Sequence, residues 1–183
     1  QTMVEDEGVF AFVGHFYTGS IVATYDYISG KGVPMVYYAS GVNTLFNENA
    51  TGNDRVSFPV QPILITEGQV MVARAVSNFG AEKIGMIYTN DDAGLDMLNG
   101  AEAKAAELGI EFVAEQVAAG ATDVSAAVTN IMNADVDVVL GASIQGTIPQ
   151  IISGLATQGN TAPVITSYNN TDAVIAGQIH PSS

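Results

Sequence analysis

Short apolar runs alternate with amphipathic stretches along most of the chain. Apolar runs bounded by glycine or polar residues are typical of buried strands, whereas apolar residues three or four positions apart indicate helices. The pattern predicts strands at residues 9–13 (fully buried), 34–38, 84–88, 110–117, 136–140 and 164–167, and a short extended piece at residues 55–58. It predicts helices from Ser20 to Gly30 and at residues 63–79, 95–108, 124–134 and 148–155.

Strands that alternate with helices of this length predict parallel pairing, because parallel neighbours need a crossover connection. The expected fold class is therefore α/β, with doubly wound parallel sheets. Pro59 and Pro62 follow a polar loop and indicate a boundary between two lobes. We expect residues 1–59 to form part of a first lobe and residues 60–183 to form most of a second lobe. Residues 60–177 are expected to be the better-packed unit. Both ends of the sequence lack closing elements, which predicts an interior fragment of a longer protein.

The chain carries 5 basic and 19 acidic residues, a formal net charge of −14. This balance argues against nucleic-acid binding and against docking on anionic lipid, since both need clustered Lys and Arg. The sequence has no cysteine, which excludes thiolate catalysis and Cys-based zinc sites. No apolar run approaches the roughly 18 residues of a membrane-spanning helix, and no signal peptide is visible.

Residues 14–20, Gly-His-Phe-Tyr-Thr-Gly-Ser, follow a predicted strand and open a predicted helix. The spacing of Gly14 and Gly19 is similar to that of a phosphate-binding loop. Because Ser20 stands where that loop needs lysine, the sequence excludes a phosphate-binding loop of the NTPase type. Free backbone N–H groups, a helix dipole and two hydroxyls still suit a carboxylate or phosphate. The alternative is an ordinary turn with Ser20 as N-cap, and spacing alone favours it.

Three acidic residues, Asp91, Asp92 and Asp96, follow the strand predicted at residues 84–88. They lie where open α/β sheets place ligands, but they lack the spacing of a calcium loop. Capping of the next helix is the favoured interpretation, and a partner for a ligand amine is the alternative. The sequence indicates no metal site and no cofactor.

Tyrosines at predicted strand ends could belong to the core or to a cleft that stacks an apolar or aromatic ligand. They are Tyr17, Tyr37, Tyr38, Tyr88 and Tyr168. His15 has no acidic residue at a motif spacing to orient it, so we interpret it as structural or site-lining. His180 lies near the C-terminal end, and the sequence assigns it no role.

Six segments, each occurring once, lie in an order and spacing that extend over nearly all 183 residues. They are Val-Phe-Ala-Phe-Val-Gly-His at 9–15, Gly-Val-Pro-Met-Val-Tyr-Tyr-Ala-Ser-Gly at 32–41, Lys-Ile-Gly-Met-Ile-Tyr at 83–88, Asp-Val-Ser-Ala-Ala-Val at 123–128, Val-Asp-Val-Val-Leu-Gly at 136–141, and Gly159 ahead of Pro-Val-Ile-Thr at 163–166. In order and spacing, the chain resembles the type I periplasmic solute-binding proteins. The similarity is greatest to the branched-chain amino-acid (leucine/isoleucine/valine) group.

The resemblance implies two α/β lobes joined by a hinge, with a small amino acid or related small carboxylate bound between them. It implies a non-enzymatic component of an ABC importer that docks on the membrane subunits of a permease. The implied location is periplasmic or extracellular, with an upstream N-terminal segment as a possible membrane anchor. A sensory ligand-binding domain with the same fold is the alternative. An α/β enzyme is a third class, but no nucleophile–base pair or metal cluster supports it.

Site positions also follow from the resemblance. The family binds the ligand carboxylate at the helix N-terminus after the Gly-His turn, where the hydroxyl residue is Thr18 with Tyr17 beside it. The turn after the next strand falls on Ala39 and Gly41, so the family's threonine hydroxyl is absent.

In the second lobe, the family places two tyrosines and one acidic residue that pairs with the ligand amine. Those positions fall on Ala93, Ile144 and Tyr168, and none keeps the family residue. Because a buried ammonium without an anionic partner is costly, the sequence predicts that a carboxylate lacking the amine binds at least as well as the matching amino acid. Asp91 or Asp92 would have to reach the amine to restore its charge partner.

Overall fold

A computed structural model of the chain describes residues 1–179, apart from the side chain of Gln145, so His180 lies outside the described residues. The helices are α1 Thr2–Glu5, α2 Thr18–Gly30, α3 Leu64–Phe79, α4 Asp92–Leu108, α5 Ser125–Asn133, α6 Ile148–Thr157 and α7 Ala173–Gln178. The strands are β1 Phe12–Val13, β2 Met35–Tyr38, β3 Ser57–Pro59, β4 Lys83–Thr89, β5 Glu111–Val117, β6 Val138–Ala142 and β7 Val164–Thr166. Short 3₁₀ turns cover Asn43–Leu45, Gly52–Val56, Gln145–Thr147 and Tyr168–Asn170.

The first compact unit spans Gln1–Leu64 and contains a parallel sheet in the order β1-β2-β3. A register shift interrupts the pairing of β2 with β3 between Val36 and Tyr38. The intervening Tyr37 has a φ of 56°. The core of this unit consists of Ile21, Ile28, Met35, Tyr38, Val42 and Leu45.

The second unit begins at Ile65 and contains a parallel sheet in the order β5-β4-β6-β7. Apolar residues of α5 and α6 form a cluster with Ile87 of β4 and Val139 of β6. The chain crosses from β5 over β4 to β6, so the strand order reverses between β4 and β6. In open α/β sheets this switch point opens a crevice at the carboxyl ends of the strands. The expected fold class, α/β with doubly wound parallel sheets, is confirmed.

The predicted strand at residues 9–13 is wrong in length and in burial. Only Phe12–Val13 is strand, and the side chains of Phe10 and Val13 are 90% and 73% exposed. The reason is that β1 is an edge strand with β2 as its single neighbour. The short extended piece predicted at residues 55–58 is found only from Ser57, because a 3₁₀ turn continues to Val56 before β3 begins.

Helices α3 and α4 approach closely through two glycines. A Cβ atom on Gly100 of α4 would overlap the carbonyl oxygen of Ile65, and one on Gly68 of α3 would overlap that of Met97. Because the backbones are this close, neither position can hold a side chain without separating the helices. Because α4 follows β4 directly, α4 begins at the carboxyl edge of the second sheet.

Candidate functional site

The turn from β1 to α2 carries hydroxyl and backbone N–H groups of the first unit. Gly14, with a φ of 74°, turns the chain out of β1, and Tyr17, with a φ of 85°, precedes the first helical residue, Thr18. The prediction that Ser20 is the N-cap is wrong, because these two backbone turns start the helix two residues earlier. The Ser20 hydroxyl instead donates to the carbonyl oxygens of Phe16 and Tyr17, at 3.1 and 2.9 Å.

The loop after β2 lies against this turn. The N–H of Ala39 donates to the carbonyl oxygen of His15 at 2.8 Å, and Thr18 Oγ1 lies 3.0 Å from Ser40 Oγ. Ser40 is fully buried and was not identified from the sequence, although its place between Ala39 and Gly41 could have shown it. A Cβ on Gly41 would overlap the carbonyl oxygen of Pro62, so a threonine cannot stand there. The structure thus brings Tyr17, Thr18, Ala39 and Gly41 together, with Ser40 as the second hydroxyl.

No positively charged side chain belongs to residues 14–20 or 39–41. No side chain caps the N-terminus of α2, and the first N–H groups of a helix have no partner inside it. The 13-residue helix directs the positive end of its dipole at the turn. Neutral N–H donors, two hydroxyls and a helix dipole together suit a carboxylate.

Tyr17 carries backbone strain at this turn. Its φ of 85° is unfavourable for a residue with a Cβ, and its side chain is 62% exposed. Strained residues persist at sites where their side chain is needed, so we expect Tyr17→Gly to raise the free energy of unfolding by about 1 kcal/mol. We expect the same change to weaken binding of a small carboxylate at this turn, because the ring is lost.

The matched control for this substitution is Tyr37→Gly, which relieves a φ of 56° at the β-bulge, where the side chain is 66% exposed. It should raise stability similarly and leave binding unchanged. Urea unfolding and calorimetric titration measure the two effects. Tyr17→Gly with unchanged affinity would show that this ring is not part of the site.

The second unit places the three positions implied by the resemblance at its carboxyl edge. Ala93 lies in the first turn of α4 and is buried, Ile144 follows β6 and is half-buried, and Tyr168 follows β7 with 37% of its surface exposed. Neither Ala93 nor Ile144 has a polar side chain. Ser143, next to Ile144, is fully buried, and its Oγ has no hydrogen-bond partner among the described residues.

Asp91 acts as a helix cap, as the favoured interpretation predicted. Its Oδ1 accepts hydrogen bonds from the N–H of Gly94 and from Thr89 Oγ1, both at 2.9 Å. Two donors therefore already occupy this oxygen. Asp92 is exposed in the first turn of α4.

Two aromatic candidates and the histidine have structural roles. Tyr38 is fully buried in the core of the first unit, with its hydroxyl 2.6 Å from Ser57 Oγ, so of the two alternatives for this tyrosine the structure shows the core position. The Tyr88 hydroxyl donates to Gln116 Oε1 at 3.4 Å. His15 Nε2 lies 3.2 Å from Ser20 Oγ, and this hydrogen bond stabilises the turn.

A carboxylate that sequence reasoning missed lies beside Tyr168. Glu67 of α3 accepts a hydrogen bond from the backbone N–H of Tyr168 through Oε1, at 2.9 Å. Its Oε2 is buried and has no hydrogen-bond partner among residues 1–179. Burial raises the pKa of Glu67, while the Tyr168 N–H and the Ser167 hydroxyl oppose this rise. A separation of 101 residues hides this pair from any motif search.

The raised pKa of Glu67 predicts a pH-dependent cost to stability. The pKa of Glu67 is higher in the folded than in the unfolded protein, so the folded protein binds the Glu67 proton more tightly. The free energy of unfolding therefore falls as pH rises through the interval between the two pKa values. Glu67→Gln keeps an oxygen for the Tyr168 N–H and removes the charge. We expect this variant to be more stable than the parent at pH 7, with the difference vanishing below about pH 4, under the usual Glu pKa.

Urea unfolding across pH measures this difference, and Glu102→Gln, which removes the same charge from an exposed position, is the charge-matched control. A constant difference between the Glu67 variant and the parent at all pH values would contradict the prediction.

The described residues 1–179 contain no cluster of three or more His, Asp or Glu side chains that could hold a metal ion. Within the same range, no helix is both long enough and apolar enough to cross a bilayer.

The sequence matches a family model described as "Periplasmic binding protein" over residues 1–178. No curated protein matches it. Among solved structures, a leucine-binding protein, LivK, from Thermotoga maritima MSB8 superimposes with a TM-score of 0.86 at 18% identity, covering 99% of this chain and 51% of that one.

Two further structures were solved with ligands. A branched-chain amino-acid ABC transporter protein from Thermus thermophilus with bound valine gives a TM-score of 0.83 at 15% identity, covering 99% of this chain and 46% of that one. A solute-binding protein of an ABC transporter from R. palustris in complex with benzoate gives 0.84 at 17% identity, covering 99% and 49%.

The present chain therefore spans about half the length of these proteins. At these identities the structural likeness establishes the fold alone. The family match covers nearly the whole sequence and agrees with the two parallel α/β units and the polar turn before α2. The chain belongs to the periplasmic binding protein family.

Proposed function

We propose that the protein binds a small amino acid or a related small carboxylate as the solute-binding component of an ABC importer. The turn at residues 14–18 takes the ligand carboxylate, with Thr18, whose hydroxyl lies against that of buried Ser40, as the hydroxyl donor and the first N–H groups of α2 as backbone donors. The observation that carries this proposal is the uncapped N-terminus of α2 beside the Thr18–Ser40 hydroxyl pair.

A carboxylate suits this turn better than a phosphate does. The turn offers only neutral donors, and the chain as a whole carries a net charge of −14, which disfavours a doubly charged ligand. Three of the five basic side chains form ion pairs elsewhere, Lys31 with Glu5, Lys83 with Glu111 and Lys104 with Glu107. Related structures with bound valine and with benzoate support the class of ligand.

The proposed location is the periplasm or the extracellular space, where the protein would deliver its solute to the membrane subunits of a permease. Proteins described as extracellular ligand-binding receptors are also among the similar structures, one from Rhodopseudomonas palustris HaA2 with a TM-score of 0.85. A sensory ligand-binding domain is therefore the second candidate function, and it uses the same carboxylate turn.

Calorimetric titration with leucine, valine, phenylalanine and benzoate tests the proposal. We expect at least one of these carboxylates to bind with a 1:1 stoichiometry, and Thr18→Val to weaken that binding about tenfold, the loss of one hydrogen bond to a charged group. Ser29→Ala is the matched control, because its hydroxyl donates to a backbone carbonyl within α2, away from the turn. Absence of binding for all four compounds would contradict the proposal.

A further inference from the structure

The first sheet ends on a strand whose outer side is open. In the order β1-β2-β3, strand β1 has β2 on one side and no strand of residues 1–179 on the other. The N–H of Phe12 donates to the carbonyl oxygen of Pro34, on the side of β2, at 2.8 Å. Because backbone groups point alternately to the two sides of a strand, those of Ala11 and Val13 point away from β2.

The outer edge of the second sheet carries charges, whereas the edge at β1 carries none. β5, which ends the second sheet, contains Glu111 and Glu115, and charged side chains on an edge strand oppose pairing with another chain. Residues 8–25, which include β1, contain no Asp, Glu, Lys or Arg. Val13 of β1 is instead an exposed apolar side chain. β1 therefore meets the conditions for pairing with another strand.

An apolar groove and an exposed phenylalanine both lie beside β1. The groove has a volume of about 350 Å³, and its lining includes Val4, Gly14, Tyr27 and Ile28. Within residues 1–179, no atom beyond the chain neighbours of Gly14 lies within 4 Å of a Cβ built on this residue. Phe10, two residues before β1, is 90% exposed. The same chain thus has a space that an aromatic ring can fill and an exposed aromatic ring.

We infer that two copies of this chain pair through β1 as a symmetric dimer, with Phe10 of each copy in the groove of the other. Antiparallel pairing that aligns residue 11 of one copy with residue 13 of the other uses the outward N–H and carbonyl groups of both strands. The same register brings Phe10 of each copy to Gly14 of the other. Such an interface is self-complementary, as a two-fold axis requires. The inference goes beyond the proposed function and does not depend on it.

The apolar area beside β1 indicates a weak dimer. Met3, Phe10, Val13 and Phe16 are 55%, 90%, 73% and 54% exposed. With ~200 Å² for a phenylalanine side chain and less for the others, these residues offer roughly 500 Å² per copy. A total of about 1,000 Å² is at the lower end for specific interfaces, so we expect a reversible dimer with a dissociation constant on the order of 10–100 µM. Because each copy carries a net charge of −14, added salt should strengthen the dimer.

Sedimentation velocity of the 183-residue chain between about 1 and 500 µM tests the inference. We expect a concentration-dependent change from monomer to dimer without larger species, because a two-fold interface closes on itself. Val13→Lys should weaken the dimer at least about 30-fold, because it places two like charges at the paired edge. Phe10→Ser should weaken it at least about tenfold, because the burial of two rings is lost.

Val60→Lys is the matched control, because Val60 is 53% exposed and follows β3, at the other side of the first sheet. It should leave the dimer unchanged. All three substituted side chains are at least half exposed, so each variant should keep the thermal unfolding midpoint of the parent. A monomer at every concentration would overturn the inference. A dimer that survives both Val13→Lys and Phe10→Ser would overturn it in favour of another surface, and one that Val60→Lys alone disrupts would point to the edge at β3.

Discussion

Gly100→Ala is expected to destabilise the second unit by about 3 kcal/mol, at the upper end of the range for overpacked interiors. The added methyl group would overlap the carbonyl oxygen of Ile65 in α3, and backbone cannot swing aside as a flexible side chain can. The two helices would have to separate, which would also loosen the buried residues between them. A loss of this size is a large fraction of the stability of an ordinary domain.

Thermal and urea unfolding measure this loss, and we expect the midpoint of thermal unfolding to fall by roughly 10 °C. Gly177→Ala is the matched control, because Gly177 is also helical and has no atom within 4 Å of its added Cβ. It should leave the midpoint unchanged or raise it. A Gly100→Ala protein as stable as the control would show that α3 and α4 are not packed as closely as described.

Removing the ligand carboxylate is expected to reduce affinity by at least about 100-fold. The turn at residues 14–18 offers hydroxyl and N–H donors that a carboxylate can accept and an alkyl group cannot. Each hydrogen bond to a charged group contributes about 1.5–3 kcal/mol, so the loss of two such bonds accounts for the factor of 100. The amine 3-methylbutylamine should therefore bind far more weakly than leucine, and 2-phenylethylamine far more weakly than phenylalanine.

Calorimetry on these pairs measures the ratio, and Thr18→Val should reduce it by weakening only the carboxylate-bearing member. The Ser29→Ala control should keep the parent ratio. Equal affinity for a decarboxylated compound and its amino acid would contradict the assignment of the carboxylate to this turn.

The second unit could be predicted well from the sequence because its elements are long and regular. Strands such as β4 and β6 are bounded runs of buried apolar residues, and α4 begins at an aspartate cap and ends before Gly109, which has a φ of 71°. These signals are local, so a window of ten to twenty residues contains them. Boundaries moved by one to three residues, mainly where a helix began earlier than its first periodic apolar residue.

The first unit was harder because its geometry depends on backbone conformations with positive φ outside glycine. Tyr17 and Tyr37 both adopt such values, which no propensity assigns to tyrosine. The start of α2 and the bulge in β2 therefore could not be placed from residue type. The exposure of β1 likewise follows from its edge position, which composition does not encode.

In the candidate site, too, local features could be predicted from the sequence and long-range contacts could not. The turn could be predicted from the strand before it and the glycine spacing, and Thr18 and Tyr17 as site positions from the family resemblance. Ser40 and Glu67 were missed because their significance comes from contacts across the fold, 22 residues from Thr18 and 101 residues from Tyr168. Pairs this distant become visible only when the fold brings a helix next to the end of a strand.

The most direct test of the carboxylate site is an NMR titration of the ¹⁵N-labelled protein with leucine and with benzoate. We expect a bound carboxylate to shift the backbone amide signals of Thr18, Gly19 and Ser20 strongly downfield, together with those of Ser40 and Gly41. Binding that leaves these five amides unchanged while shifting others would contradict the placement of the carboxylate at the N-terminus of α2.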